Sequence, residues 1–189
     1  MIASQHHAPI SRLALALALM LALFAVPARA AVNPWTPFGP GGGVIQSLAV
    51  DPGNPAVVYA VAGPYQDAGT LYKSTDAGLT WKALAGPSLQ VVAVDPGHPG
   101  TIYAGGQVLL RSRDGGTTWT DVTPTANQTT AITALALAPG GVVYAGDRML
   151  LVRSADGGDS WSVVSQDANS VQAILVDPAS IPRPASSGR

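Results

Sequence analysis

The chain has 189 residues with 10 basic and 11 acidic side chains, three histidines and no cysteine. Its near-neutral charge and lack of any basic cluster argue against a nucleic-acid partner. The missing cysteine excludes disulfides, thiolate metal sites, a cysteine nucleophile and a cysteine-borne lipid anchor.

The first thirty residues read as a secretory signal peptide. Arg12 precedes an apolar run from Leu13 to Val26, and Ala28-Arg29-Ala30 supplies a small-x-small cleavage pattern. Fourteen apolar residues are too few to cross a bilayer comfortably. The expected product is an exported chain, periplasmic or extracellular, with no membrane span after cleavage. It keeps 159 residues, eight basic against eleven acidic, a net charge of −3. Every acidic residue is aspartate, and His98 is the one histidine left. Those absences narrow the available chemistry: no cofactor and no metal site is expected.

Next comes Trp35-Thr36-Pro37-Phe38, which has the form of an isolated outer strand, and then a repeating unit. Each unit opens on an apolar run: Val44 to Val50, Leu89 to Val94, Ala131 to Leu137. A proline-glycine turn follows at Asp51-Pro52-Gly53, Asp95-Pro96-Gly97 or Ala138-Pro139-Gly140. A tyrosine-centred strand comes next (57–60, 101–104, 142–145), then a loop, then a third strand: Thr70 to Ser74, Val108 to Ser112, Met149 to Ser154. The unit closes on the octapeptide Ser-x-Asp-x-Gly-x-Thr/Ser-Trp and a short fourth strand. The octapeptide's fixed positions are Ser74, Asp76, Gly78, Thr80 and Trp81; Ser112, Asp114, Gly116, Thr118 and Trp119; Ser154, Asp156, Gly158, Ser160 and Trp161. Successive aspartates lie 38 and 42 residues apart, a period that marks a propeller, solenoid or array. After the third unit, Val171 to Pro178 repeats the first strand and its turn, and a proline- and serine-rich tail (179–189) reads as unstructured.

Four short β-rich strands per unit predict an all-β fold, a β-propeller arc of three four-stranded blades with partial strands at both ends. The almost continuous apolar character of the first strands predicts burial on both faces. Within the octapeptide, the Asp carboxylate is expected to accept N–H groups two residues on, Gly to take a positive φ, and Trp to pack on the neighbouring sheet. These are devices of folding, not of catalysis. Three and a half blades fall short of the four to eight usual for propellers, so the sequence suggests the N-terminal part of a larger ring, with open sheet edges prone to self-association.

The three octapeptides resemble the Asp-box (bacterial neuraminidase repeat) propellers, a group that includes sialidases, xyloglucanases, sortilin-type receptors and photosystem II assembly propellers. The similarity covers residues 35–178. It implies a structural role for Asp76, Asp114 and Asp156 at the blade periphery, and it does not specify an activity. A sialidase reading fails for want of glutamate and a matching arginine set. A xyloglucanase-like reading has one candidate carboxylate, Asp67, in the stretch Asp67-Ala68-Gly69-Thr70-Leu71-Tyr72-Lys73, which loosely resembles that family's first-blade catalytic segment without its flanking glycine pair. Inverting hydrolysis needs two carboxyls, and no second one is evident.

The loops opposite the octapeptides therefore become the expected binding rim: Tyr65, Gln66, Asp67, Asp147 and Arg148. The partner would be a protein or a glycan. His98 reads as a turn residue without a triad or metal partner. Asp156 to Asp159 lacks the glutamate of a calcium loop, and Gly39 to Gly43 lacks the lysine of a phosphate loop.

Overall fold

A computed structural model describes residues 39–40, 43–64, 69–84, 88–127, 131–166 and 170–177. The chain divides after Pro37, and all described residues lie in the second unit, Phe38–Arg189. The signal-peptide reading, the strand expected at Trp35–Phe38 and the 179–189 tail fall outside the described residues.

Among the described residues, twelve strands form three antiparallel four-stranded sheets, each in sequential order. The first blade holds β1 (Val44–Val50), β2 (Val58–Gly63), β3 (Thr70–Ser74) and β4 (Lys82–Ala83). The second holds β5 (Leu89–Val94), β6 (Ile102–Gly106), β7 (Leu109–Ser112) and β8 (Thr120–Asp121). A single 3-10 turn, Thr125–Asn127, leads to the third: β9 (Ala134–Ala138), β10 (Val142–Gly146), β11 (Leu151–Ser154) and β12 (Ser162–Ser165). Registers repeat from blade to blade: Tyr59 faces Lys73, Tyr103 faces Arg111 and Tyr144 faces Arg153.

The proline-glycine turns between first and second strands explain the tight hairpins. Asp51 and Asp95 each accept the N–H two residues on, at 2.8 Å from Gly53 and Gly97. The third blade has no aspartate there, and Gly140 and Gly141 turn the chain with φ of 84° and 77°.

Two apolar clusters hold the blades together. Tyr59, Val61 and Leu71 of blade one pack against Leu89, Val92 and Ile102 of blade two. Tyr103, Leu109 and Val122 of blade two pack against Ile132, Val143 and Val152 of blade three. Trp119 lies against the first cluster and Trp161 against the second, as the sequence led us to expect.

Burial departs from expectation in one respect. In the first two blades the second strands, not the first, are the buried ones: β6 along its whole length and β2 from Tyr59 onward, whereas β1 leaves Leu48 and Val50 58% and 49% exposed. The physical reason is position. The first strands of all three blades border one open groove of about 430 Å³, joined there by Ile174, Leu175 and Val176. One edge of each first strand thus meets open space, while the second strand has a sheet neighbour on either side.

Candidate functional site

The octapeptides share one geometry. Ser74 Oγ donates to Asp76 Oδ1 (2.7 Å) and accepts the Gly78 N–H (2.8 Å). Asp76 Oδ1 accepts the Thr80 N–H and Oδ2 the Thr80 hydroxyl. Asp114 with Ser112 and Thr118, and Asp156 with Ser154 and Ser160, repeat the pattern. The carboxylate therefore closes the turn onto the residue four positions on. The two-residue contact expected from the sequence belongs instead to Asp51 and Asp95. Gly78, Gly116 and Gly158 take φ of 91°, 94° and 96°, and the residue before each, Ala77, Gly115 or Gly157, is also left-handed.

Donors converging on the ionised form hold these carboxyls down. Asp76 falls from 3.8 to about 2, chiefly through the Thr80 hydroxyl. Asp114 and Asp156 are lowered likewise, first by the hydroxyls of Thr118 and Ser160. Such carboxylates are fixed acceptors and unsuited to donating a proton near neutral pH.

A feature the sequence reading passed over links the blades. Lys73 Nζ donates to Gly115 O (2.9 Å), the backbone of the next octapeptide. One blade on, Arg111 Nη1 and Tyr103 OH both donate to Gly157 O, at 2.6 and 2.8 Å, and Arg111 also pairs with Asp159 at 2.8 Å. Trp161 Nε1 adds a bond to Val122 O at 2.9 Å. Burial raises the Tyr59 and Tyr103 hydroxyls above their usual range. The signal was present in the sequence: a basic residue directly precedes the serine of every octapeptide, Lys73, Arg111 and Arg153.

The loops opposite lie between second and third strands. Each is stitched to the next blade: Gly69 exchanges two backbone bonds with Leu89, Ile132 N–H reaches Gly106 O, and Val171 N–H reaches Asp147 O. Tyr65, Gln66 and Asp67 lie outside the described residues. Asp147 is fully buried, its Oδ1 accepting the N–H groups of Met149 and Leu150 at 2.6 Å. That carboxylate holds the turn and is not presented to a ligand, which corrects its placement on the rim; Arg148 beside it is exposed. The turn also delays the third strand, so β11 starts at Leu151 and not at Met149.

On the octapeptide face, a pocket of about 330 Å³ lies between blades two and three, lined among others by Asp95, His98, Tyr103, Arg113 and Asp156. His98 does have a partner: its Nδ1 lies 2.9 Å from Asp95 Oδ2. Asp95 simultaneously holds its own turn, so the pair braces a corner.

No family model matches the chain, and no curated protein matches it. Solved structures do. An ancestral GH74 enzyme superposes with a TM-score of 0.58 and 27% identity, over 72% of this chain and 20% of that one. The GH74 xyloglucanase from Xanthomonas campestris gives 0.51 and 26%, over 64% and 23%. YCF48 bound to D1 peptide gives 0.58 and 17%, over 70% and 44%. The chain thus spans about a fifth of the enzymes and less than half of YCF48. With three radially repeated four-stranded sheets, these likenesses make the fold a β-propeller arc.

Proposed function

We propose that this chain is an exported Asp-box propeller repeat protein, a non-catalytic module for binding or assembly with a protein or glycan, and part of a larger propeller. The observation that carries this is the employment of its carboxylates. Asp51, Asp95 and Asp147 hold turns, Asp76, Asp114 and Asp156 close the octapeptides, Asp121 accepts from Thr123, and Asp159 pairs with Arg111. Carboxylates saturated by N–H and O–H donors make poor general acids and bases. A signal peptide at 1–30, repeats over 31–178 and a tail at 179–189 complete the reading, and export follows from that signal segment. The short span relative to the GH74 enzymes and YCF48 supports membership of a longer ring. Tyr65, Gln66, Asp67 and Arg148 remain the proposed rim contacts, and the D1 peptide bound to YCF48 supports a peptide as one kind of partner.

A second reading rests on identity of 26–27% to GH74 enzymes: the chain as the N-terminal portion of a xyloglucanase-like hydrolase, with Asp67 as one of its two carboxyls. Incubating the mature chain with xyloglucan and other β-glucans separates the two. The binding reading expects retention on the polysaccharide or on a peptide partner without release of reducing ends. Release that Asp67→Asn abolishes would overturn it.

A further inference from the structure

Three blades in one chain provide their own comparison. A residue that recurs in every blade serves the fold, and one that departs from the repeat calls for a separate explanation. Blade two departs twice on its octapeptide face. Arg113 stands where the other octapeptides have Thr75 and Ala155, and His98 stands where the first corner has Asn54. Both side chains line the same pocket of about 330 Å³ at the seam with blade three.

The pocket has a structural cause. Between the paired ends of first and second strands, blades one and two carry residues 51–57 and 95–101, whereas blade three carries only 139–141. The short corner at Gly140 and Gly141 leaves a low wall beside the full corner of blade two. A Cβ added at Gly140 would meet no atom within 4 Å. This seam lies between two complete four-stranded sheets, so its form does not depend on how many blades the ring has.

The polar groups of the lining divide into engaged and available ones. Asp156 accepts the hydroxyls of Ser154 and Ser160 and the Ser160 N–H, while Asp95 accepts the Gly97 N–H and faces His98 Nδ1. The Arg113 guanidinium and the Thr101 hydroxyl have no hydrogen-bond or ion-pair partner among the described residues. Because His98 Nδ1 meets an acceptor, it carries the ring hydrogen, and Nε2 of the neutral imidazole is an acceptor in turn. The His98 side chain is 62% exposed and Arg113 is exposed as well. A cationic fork, a hydroxyl and a ring acceptor are therefore available together at one seam.

We infer that this seam pocket binds a hydroxylated carboxylate of sugar size, a uronate, with its carboxylate on Arg113 and its hydroxyls on Thr101 and His98 Nε2. A planar guanidinium takes a carboxylate through two parallel bonds, which fixes the orientation of the ring. Two aspartates in the same lining disfavour a multiply charged anion, so one negative charge is what the site accepts. The volume falls at the lower end of the range for ligand sites, about 300–1,000 Å³. The loop rim lies on the opposite face, so failure here leaves the rim reading standing, and the reverse.

Glucuronate is the probe, titrated into the full chain and followed through its own NMR signals. It should bind saturably. Glucose, which lacks the carboxylate, and acetate, which lacks the hydroxyls, should bind about tenfold more weakly or worse. Arg113→Thr should weaken glucuronate about tenfold and His98→Asn about threefold. Blade one carries Thr75 and Asn54 at these places, so both variants should fold, which their urea transitions check. Lys82→Ala removes an exposed positive charge on blade one and should leave binding unchanged. Tighter binding of a glucuronate-ended oligosaccharide would mark a polysaccharide end as the source and equal binding the free acid; either supports the site. Failure of glucuronate to approach saturation by about 50 mM overturns the proposal. So does binding that Arg113→Thr and His98→Asn both leave intact, or equal affinity for glucose or acetate.

Discussion

Val122 and Val164 each lie three positions after the octapeptide tryptophan in consecutive blades and differ in what covers them, although Val122 bonds Leu109 in register and Val164 falls at a register shift between β11 and β12. Val122 is 8% exposed, packed in the cluster beneath Trp161, while Val164 is 52% exposed. Truncation to alanine removes two methyl groups, worth about 1.6 kcal/mol if fully buried, and the residual cavity brings the Val122→Ala cost to about 2 kcal/mol. At Val164 half of that surface already meets water and no cavity forms, so about 0.8 kcal/mol is expected. Urea unfolding followed by tryptophan fluorescence should show a midpoint lowered by about 1 M for Val122→Ala, with unchanged slope, against a small shift for Val164→Ala. Thermal midpoints should fall by about 4–8 °C and about 2–3 °C respectively. Equal losses at the two positions would refute the idea that blade-on-blade burial stabilises the arc. The Trp161 Nε1 bond to Val122 O survives either change, since it uses the backbone.

Acid should expose the octapeptides. Their carboxyls sit below the ordinary 3.8, so the unfolded chain binds protons first, and their stabilisation is present above about pH 4 and lost as pH falls toward 2. The urea midpoint should decline over that window, and replacing Asp76, Asp114 and Asp156 together by asparagine should flatten the decline. Gly158→Ala should cost about 1–3 kcal/mol in chemical denaturation, because the residue holds φ of 96° and its new Cβ would press Val122 at 3.3 Å. Arg111→Ala should cost about 2 kcal/mol, since the buried side chain serves Gly157 O, whereas removing its exposed ion-pair partner by Asp159→Asn should cost less than about 0.5 kcal/mol. Similar losses for those two variants would show that the ion pair, not the carbonyl, carries the contact.

The architecture was legible because its punctuation is local. Proline-glycine turns, one tyrosine per unit and the octapeptide all act within a few residues, and their spacing near 40 needs no tertiary knowledge. Burial was less legible. Apolar runs mark strands, but composition does not say which strand borders the axis, and so full burial was assigned to β1, β5 and β9 where β2 and β6 have it. On the rim, Asp147 and Arg148 are neighbours in sequence with opposite fates. The turn folds the aspartate inward onto Met149 and Leu150, and only the local backbone decides which of two adjacent polar residues faces out. Lys73, Arg111 and Arg153 were passed over because an isolated basic residue on a strand resembles a solvated one. Their targets lie 42, 46 and, for the hydroxyl of Tyr144, 9 residues away.

Lys73 and Arg111 each reach a main-chain oxygen, of Gly115 and Gly157, so the clasp reads the shape of a glycine corner, with the Asp159 carboxylate added at Arg111. A duplicated stretch of about 40 residues carries hook and eye together. Gene-level copying can therefore lengthen or shorten such an arc without any compensating substitution at the new seam.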